Sequence, residues 1–271
     1  MRYRARLAYL GTFFHGWQRQ RNASRTVQEI VETALRELFE ARVAIHAAGR
    51  TDAGVHADGQ VIHFDAGDRA PDRILAGANG LLPWDVRVLD LRAAAPDFHA
   101  RFDATRKRYV YRFVRGRWLA PKEALTAAPI SPRADAAVMA DAAARLRGTH
   151  DFFAFSTSGT PHESTERTVF ASRVRDAGGK IELTFEADGF LRGMARAFAG
   201  TLSDIGRGKY PASLIDEILE SRDKSLVSPK AAARGLTLDK VFYGGGSGGD
   251  GRPARPRLAG AARRNGITLD A

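Results

Sequence analysis

Between two short apolar runs the chain reads HAAGRTDAGVHADGQVIHF, residues 46–64, and several side chains crowded there are of kinds that do chemistry. The Asp52 carboxylate can attack an electrophilic carbon or remove a proton, Arg50 can pair with an anion, and His56 can carry a proton. Gly49 and Gly54 permit a tight turn, so Arg50, Thr51, Asp52, Gly54 and His56 are expected on a loop held by two strands, a good place to fix a reactive group. The same residue types also form ordinary turns in which Asp52 and Thr51 cap backbone amides, and spacing alone weighs the two readings equally. Other chemistries find less support. Asp52, His56, Asp58 and His63 lie close in sequence but lack the helical His spacing of a zinc protease, so no metal is expected. No lysine follows the glycines in the Walker pattern, and no Gly-x-Ser-x-Gly elbow occurs ahead of residue 244. With no cysteine in 271 residues, disulfides and thiolate chemistry are excluded, and any nucleophile is an oxygen or nitrogen group.

Charge narrows the partner. Lys and Arg number 42 against 31 Asp and Glu, a net charge of +11, which points to a polyanion and most simply to nucleic acid. Biased genomic base composition also produces arginine- and alanine-rich chains, and part of the excess lies in GGGSGGDGRPARPRLAGAARRNGITLDA, residues 244–271. That segment is basic and poor in aromatic and periodic apolar residues, so it is expected to be a flexible tail. The apolar stretches fall well short of the roughly 18 residues that cross a bilayer, and MRYRARLAYLG lacks the apolar core of a signal peptide. The expectation is a cytoplasmic protein with no membrane partner.

The elements that must position the loop are readable from periodicity. YRARLAY alternates Tyr3, Ala5, Leu7 and Tyr9 against Arg2, Arg4 and Arg6, a strand with one basic face. TVQEIVETALRELFEA places Val27, Ile30, Val31, Leu35, Leu38 and Phe39 on one helical face behind a Thr26/Glu29 capping box. Strands over 43–47 and 60–64 bracket the loop, a helix is expected over 72–82, and VRVLDLR reads as a further strand. The second half is expected to hold strands in RFDATRKRYVYRFV, TVFASRV and KIELTFEA, helices over 135–146, near 190–205 and over 211–220, and a last strand around 238–243. The 44% hydrophobic content suffices for two ordinary domains. An α+β chain is predicted, with residues 1–105 and 106–243 as two halves built on mixed, mostly antiparallel sheets with helices on one face.

GRTDAGVHA resembles the signature of the tRNA pseudouridine synthase A family, and it does not stand alone. FHGWQRQ, TVQEIVETAL, LLPWDVRV, FHARFDATRKRYVYRF, GTHDFFAFS, FLRGMARAFAGTL and AAARGLTL follow the family's patterns, so that the resemblance spans Arg2 to Tyr243. One departure is Leu10-Gly11, where family members usually carry Asp-Gly. The resemblance implies isomerisation of uridine to pseudouridine at tRNA positions 38–40, on the 3′ side of the anticodon stem-loop, with no cofactor or metal. It further implies two RNA-recognition-like α/β sandwich halves flanking a central cleft, and a homodimer.

By the same resemblance, Asp52 is the catalytic carboxylate, attacking C1′ or removing the 2′ proton. Arg196 of the FLRGMARAFAGTL helix corresponds to the arginine that pairs with it, and Arg192, Gly193, Arg196, Ala199 and Gly200 are expected on one helix face whose small residues let it approach the catalytic loop closely. Tyr109 is the active-site tyrosine, Leu236 lines the pocket, and Arg50 either enters the RNA stack or binds phosphate. His56 is expected to order the loop, because tyrosine covers the proton transfer. Two rival readings are a catalytically silent RNA-binding module and a carboxylate-dependent nucleotide hydrolase.

Overall fold

A computed structural model describes residues 1–20, 25–159 and 163–244. The tail expected from Gly244 therefore lies, beyond that glycine, outside the described residues. In chain order the elements are β1 (Arg2–Tyr9), α1 (Val27–Phe39), β2 (Ile45–Ala47), β3 (His56–Asp65), α2 (Pro71–Leu81), β4 (Val86–Ala93), β5 (Ala104–Arg115) and α3 (Pro121–Ala124). They continue as β6 (Ala128–Ile130), α4 (Ala136–Arg145), β7 (Gly148–Asp151), β8 (Glu166–Asp176), β9 (Lys180–Ala187), α5 (Met194–Gly206), α6 (Leu214–Ser221) and β10 (Leu236–Tyr243). The fold is α+β.

Alternation does what it predicts in β1: Tyr3, Ala5, Leu7 and Tyr9 are buried, and the arginines between them are half-buried or exposed. In α1 the Thr26 hydroxyl accepts from the Glu29 amide at 3.4 Å, and Val27, Val31, Ala34 and Leu35 turn inward. Together with α2, this helix covers Ala5, Ile62 and Phe64 of the sheet. At the other end, Phe198 of α5 packs edge-on to Phe185 of β9 at 5.4 Å and to Phe152 and Phe155.

All strands join one ten-stranded sheet in the order β4-β1-β3-β10-β5-β9-β8-β7, with β2 beside β3 and β6 beside β5. The plural sheets expected from the sequence are thus one continuous surface. The strand that joins them is the last, β10, which pairs antiparallel with β5 (Leu238 opposite Tyr109) and briefly parallel with β3 (Thr237 opposite His56, Leu238 opposite Ala57).

Several boundaries differ from expectation. β3 starts at His56, four residues early, because Ala57 already pairs with Tyr9 of β1; His56 therefore belongs to the strand and not to the turn. The helix expected near Phe190 starts at Met194, since Gly193 turns the chain at φ +78°. A side chain at Gly193 would stand 2.7 Å from Lys230 Cε and Thr157 Oγ1. The helix expected from Pro211 starts at Leu214, because the Pro211 and Ala212 carbonyls are taken by the tighter turn to Leu214 and Ile215. Strands β6 and β7 and the single turn α3 are too short to carry a period.

Candidate active site

The turn between β2 and β3 is clamped from below. The Gln60 amide group donates to the Gly49 carbonyl at 2.6 Å, the Tyr9 and Thr51 hydroxyls are bonded at 2.8 Å, and the Trp17 amide donates to the Thr51 carbonyl at 3.0 Å. Thr51, Gln60 and Tyr9 are all buried, and burial pushes the Tyr9 phenol up to about 12, so it is neutral and available as a donor. From above, the turn at Gly16 (φ +89°) presses on the loop, where a Cβ would stand 3.0 Å from the Thr51 carbonyl oxygen. Gly54 (φ +79°) supplies the reversal, its amide donating to the Phe14 carbonyl at 3.3 Å, while Val55 donates to the Asp52 carbonyl at 3.1 Å. These bonds fix the loop backbone at several points, and the Asp52 side chain points elsewhere.

Its partner is Arg196, with Nη1 to Oδ2 at 3.4 Å, both side chains half-buried. Arg196 is itself braced: its Nε donates to the Ala231 carbonyl at 2.8 Å, and the Ala231 amide donates back to its carbonyl at 3.0 Å. Here the expectation needs correction. Gly200 gives close approach to the Pro229–Ala231 segment, where a Cβ would collide with the Pro229 carbonyl, and not to the catalytic loop. Arg192 and Gly193 precede α5 altogether. The small residues set the arginine's angle by admitting the segment that braces it.

Tyr109 lies in β5 with its ring edge-on to Phe190 at 4.9 Å. Burial raises its phenol pKa well above the usual range, and the Asp52 charge pushes the same way, so at neutral pH it carries its proton. Tyr111 and Phe113, on the same strand face, are core residues as expected, and the Tyr111 hydroxyl donates to the Ala232 carbonyl at 2.8 Å. Leu236 is buried at the start of β10 opposite Tyr111, two pairs along from Tyr109. Arg50 is exposed and makes no hydrogen bond or ion pair with a described residue. The structure therefore brings Asp52, Arg196 and Tyr109 together, with Leu236 two strand pairs along from Tyr109 and Arg50 at the surface.

His56 is fully committed: Nδ1 accepts from the Gly11 amide at 3.0 Å, and Nε2 lies 3.0 Å from the Arg234 carbonyl. Burial lowers its pKa, and in the neutral Nε2–H tautomer it ties three chain segments together. At the Leu10-Gly11 departure, Gly11 is needed because a Cβ would strike the Val55 carbonyl, and the Leu10 amide donates to the Asp85 carbonyl at 3.0 Å. Sequence reading missed Tyr9, Gln60, Gly16 and Phe190 as supports of the site, and also Lys230, which bonds Thr157 Oγ1 at 2.6 Å and feels Asp52 and Arg196. Their signal is tertiary, apart from Gly16, whose place in FHGWQRQ was visible. Among the described residues no three His, Asp or Glu side chains converge in a metal-binding arrangement.

Residues 5–103 and 142–244 match the profile of a family described as tRNA pseudouridine synthase. The tRNA pseudouridine synthase A of Streptococcus mutans is 43% identical over 247 residues, spanning 90% of this chain and 99% of that protein. Proteins of the same name from Chlamydia muridarum and Nitratidesulfovibrio vulgaris are 40% and 38% identical, spanning 88% and 89% of this chain and 90% and 96% of theirs. With its Asp52 loop and its arginine helix both inside the matched regions, the chain belongs to the tRNA pseudouridine synthase family.

Proposed function

We propose that Asp52 is the catalytic carboxylate of a uridine isomerase, with Arg196 and Tyr109 as its partners in the site. As a member of its family the chain is an isomerase that converts uridine to pseudouridine in tRNA. The C1′–N1 bond breaks, the uracil turns within the pocket, C5 bonds to C1′, and the C5 proton is lost while N1 gains one. Atoms balance without redox change or hydrolysis. Asp52 starts the sequence either by attacking C1′ or by taking the 2′ proton to give a glycal. Arg196 keeps the carboxylate charged and aimed. Tyr109, holding its own proton, stacks against the turned base and relays the C5 proton by passing one on as it receives one. Leu236 walls the pocket so that water does not capture the ribosyl intermediate. Arg50 occupies the stack vacated by the target base or grips a phosphate.

What carries the reading is the carboxylate held 3.4 Å from a braced arginine beside a buried, protonated tyrosine. The two rival readings account less well for this: an RNA-binding module has no use for the trio, and a hydrolase would release free uracil. We further propose that residues 1–105 and 106–243 act as two sandwich-like halves around a cleft that admits the anticodon stem-loop at positions 38–40. A homodimer in the cytoplasm would extend that basic surface along one tRNA. The test is to map pseudouridines by chemical labelling in tRNA treated with the purified protein; residues at positions 38–40 are expected, and free uracil or product elsewhere overturns the assignment.

A further inference from the structure

Lys107 sits in β5 two residues before Tyr109 and, by strand alternation, on the same face, paired with Ala187 of β9 and Val241 of β10. It is half-buried, and its side chain runs along the catalytic loop: Nζ lies 3.4 Å and Cε 3.8 Å from where a Cβ would stand on Gly49. This places the ammonium beside the residue that precedes Arg50. Three other enclosed cations have anions: Arg25 pairs with Asp85, Arg108 with Glu186, and Arg196 with Asp52, while Arg4 lies over the Phe98 and Tyr243 rings. Among the described residues, Lys107 Nζ has neither a hydrogen bond nor an ion pair. The charged groups acting on it are Arg101 and Arg167, which oppose its charge, and Asp188, which favours it without reaching it. Burial and these neighbours bring its pKa down to about 8.

An enclosed cation without an anion costs stability, and such sites are held for a charge delivered from outside. At the lip of a loop that handles tRNA, the delivered anion is a phosphodiester. We propose that Lys107 binds one backbone phosphate of the tRNA strand carrying the target uridine, against Gly49, and so holds that nucleotide while its base turns toward Asp52. This rests on the Asp52 reading above. The ammonium acts as a point charge, and the open backbone at Gly49 leaves room for the phosphate.

The test uses full-length tRNA assembled with a single neutral methylphosphonate, moved one position at a time around the target, with the wild-type protein and Lys107→Met. Affinity and kcat/KM are both read. For wild type, one methylphosphonate should cost 10-fold or more. Lys107→Met should lose a similar factor on unmodified tRNA and nothing further at that one position, while keeping the full losses elsewhere. Lys107→Arg, charged at every pH used, should restore binding and remove a fall in kcat/KM that wild type shows above about pH 8. Because the isolated charge strains the free protein, Lys107→Met should melt no lower than wild type at pH 7, which a structural lysine would not do. Losses that multiply at every phosphate, or a clearly lowered melting temperature, overturn the proposal. The coupling is read in affinity as well as in turnover, so it stands or falls even if Asp52 proves not to be catalytic.

Discussion

At the scale of single residues, Asp52 is the point at which the proposed catalytic loop differs from a capped turn, since its side chain caps no loop amide and instead meets Arg196 at 3.4 Å. Asp52→Asn keeps the shape and removes the charge. Pseudouridine formation is expected to fall below detection, roughly 10³-fold or more, with tRNA affinity and melting temperature within error of wild type. Substantial product from a well-folded Asn variant would remove Asp52 from the chemistry. Tyr109 poses a different question, because its hydroxyl makes no hydrogen bond with a described residue while its ring is held against Phe190. Tyr109→Phe should therefore keep tRNA affinity and slow single-turnover product formation by about 10²-fold, the usual range for a positioned proton-transfer group. An unchanged single-turnover rate would confine Tyr109 to stacking.

At the scale of elements, the position of Arg196 depends on how α5 meets the Pro229–Ala231 segment. Gly200→Ala would put a methyl group into the Pro229 carbonyl, force the segment outward and take away the Ala231 carbonyl that holds Arg196 Nε. Overpacking of this kind costs about 1–3 kcal/mol. The expected result is a lower melting temperature together with a kcat loss larger than any change in tRNA affinity; a variant with normal kcat would show that the brace is dispensable. The same dependence on neighbours explains why His56 is not in the turn: a strand begins where pairing begins, and its pairing partners are Tyr9 of β1, through Ala57, and Thr237 of β10.

At the scale of the molecule, His63 links β3 to the segment before β5, accepting from the Ala100 amide at 3.1 Å, stacking on His46 at 4.9 Å and lying tilted against His99 at 4.5 Å. Burial, the two neighbouring imidazoles and Arg2 lower its pKa from 6.5 to about 4. The unfolded chain takes up this proton near pH 6.5 and the folded one only near pH 4, so the contribution is intact above pH 6.5 and is lost as pH falls through that window. On the order of 3 kcal/mol is at stake by the linkage relation. The melting temperature should drop between pH 6.5 and 4, and His63→Asn should flatten that slope; an equally steep slope in the variant would assign it to other groups. β10 is the second whole-molecule feature. Without it β3 and β5 would both present open edges in the middle of the sheet, so a chain ending at Gly235 is expected to be largely unfolded by circular dichroism.

What could be read without coordinates was whatever is carried by local pattern or by motif: the period of β1, the capped face of α1, the α+β class, and the residues Asp52, Arg196 and Tyr109 through their motifs. These are properties of contiguous stretches, and the chemistry they imply travels with them. Side-chain spacing at the Asp52 loop left capping and catalysis equal, because both use the same residue types. Only the tertiary structure decided the rest. It joined the strands into one sheet through β10, whose pairing with β3 and β5 spans well over a hundred residues and leaves no local trace. It set the Arg196 angle through a carbonyl 35 residues away. It also left Lys107 as an enclosed charge with no anion among the described residues, which is a statement about many neighbours at once and so is written in no single stretch of sequence.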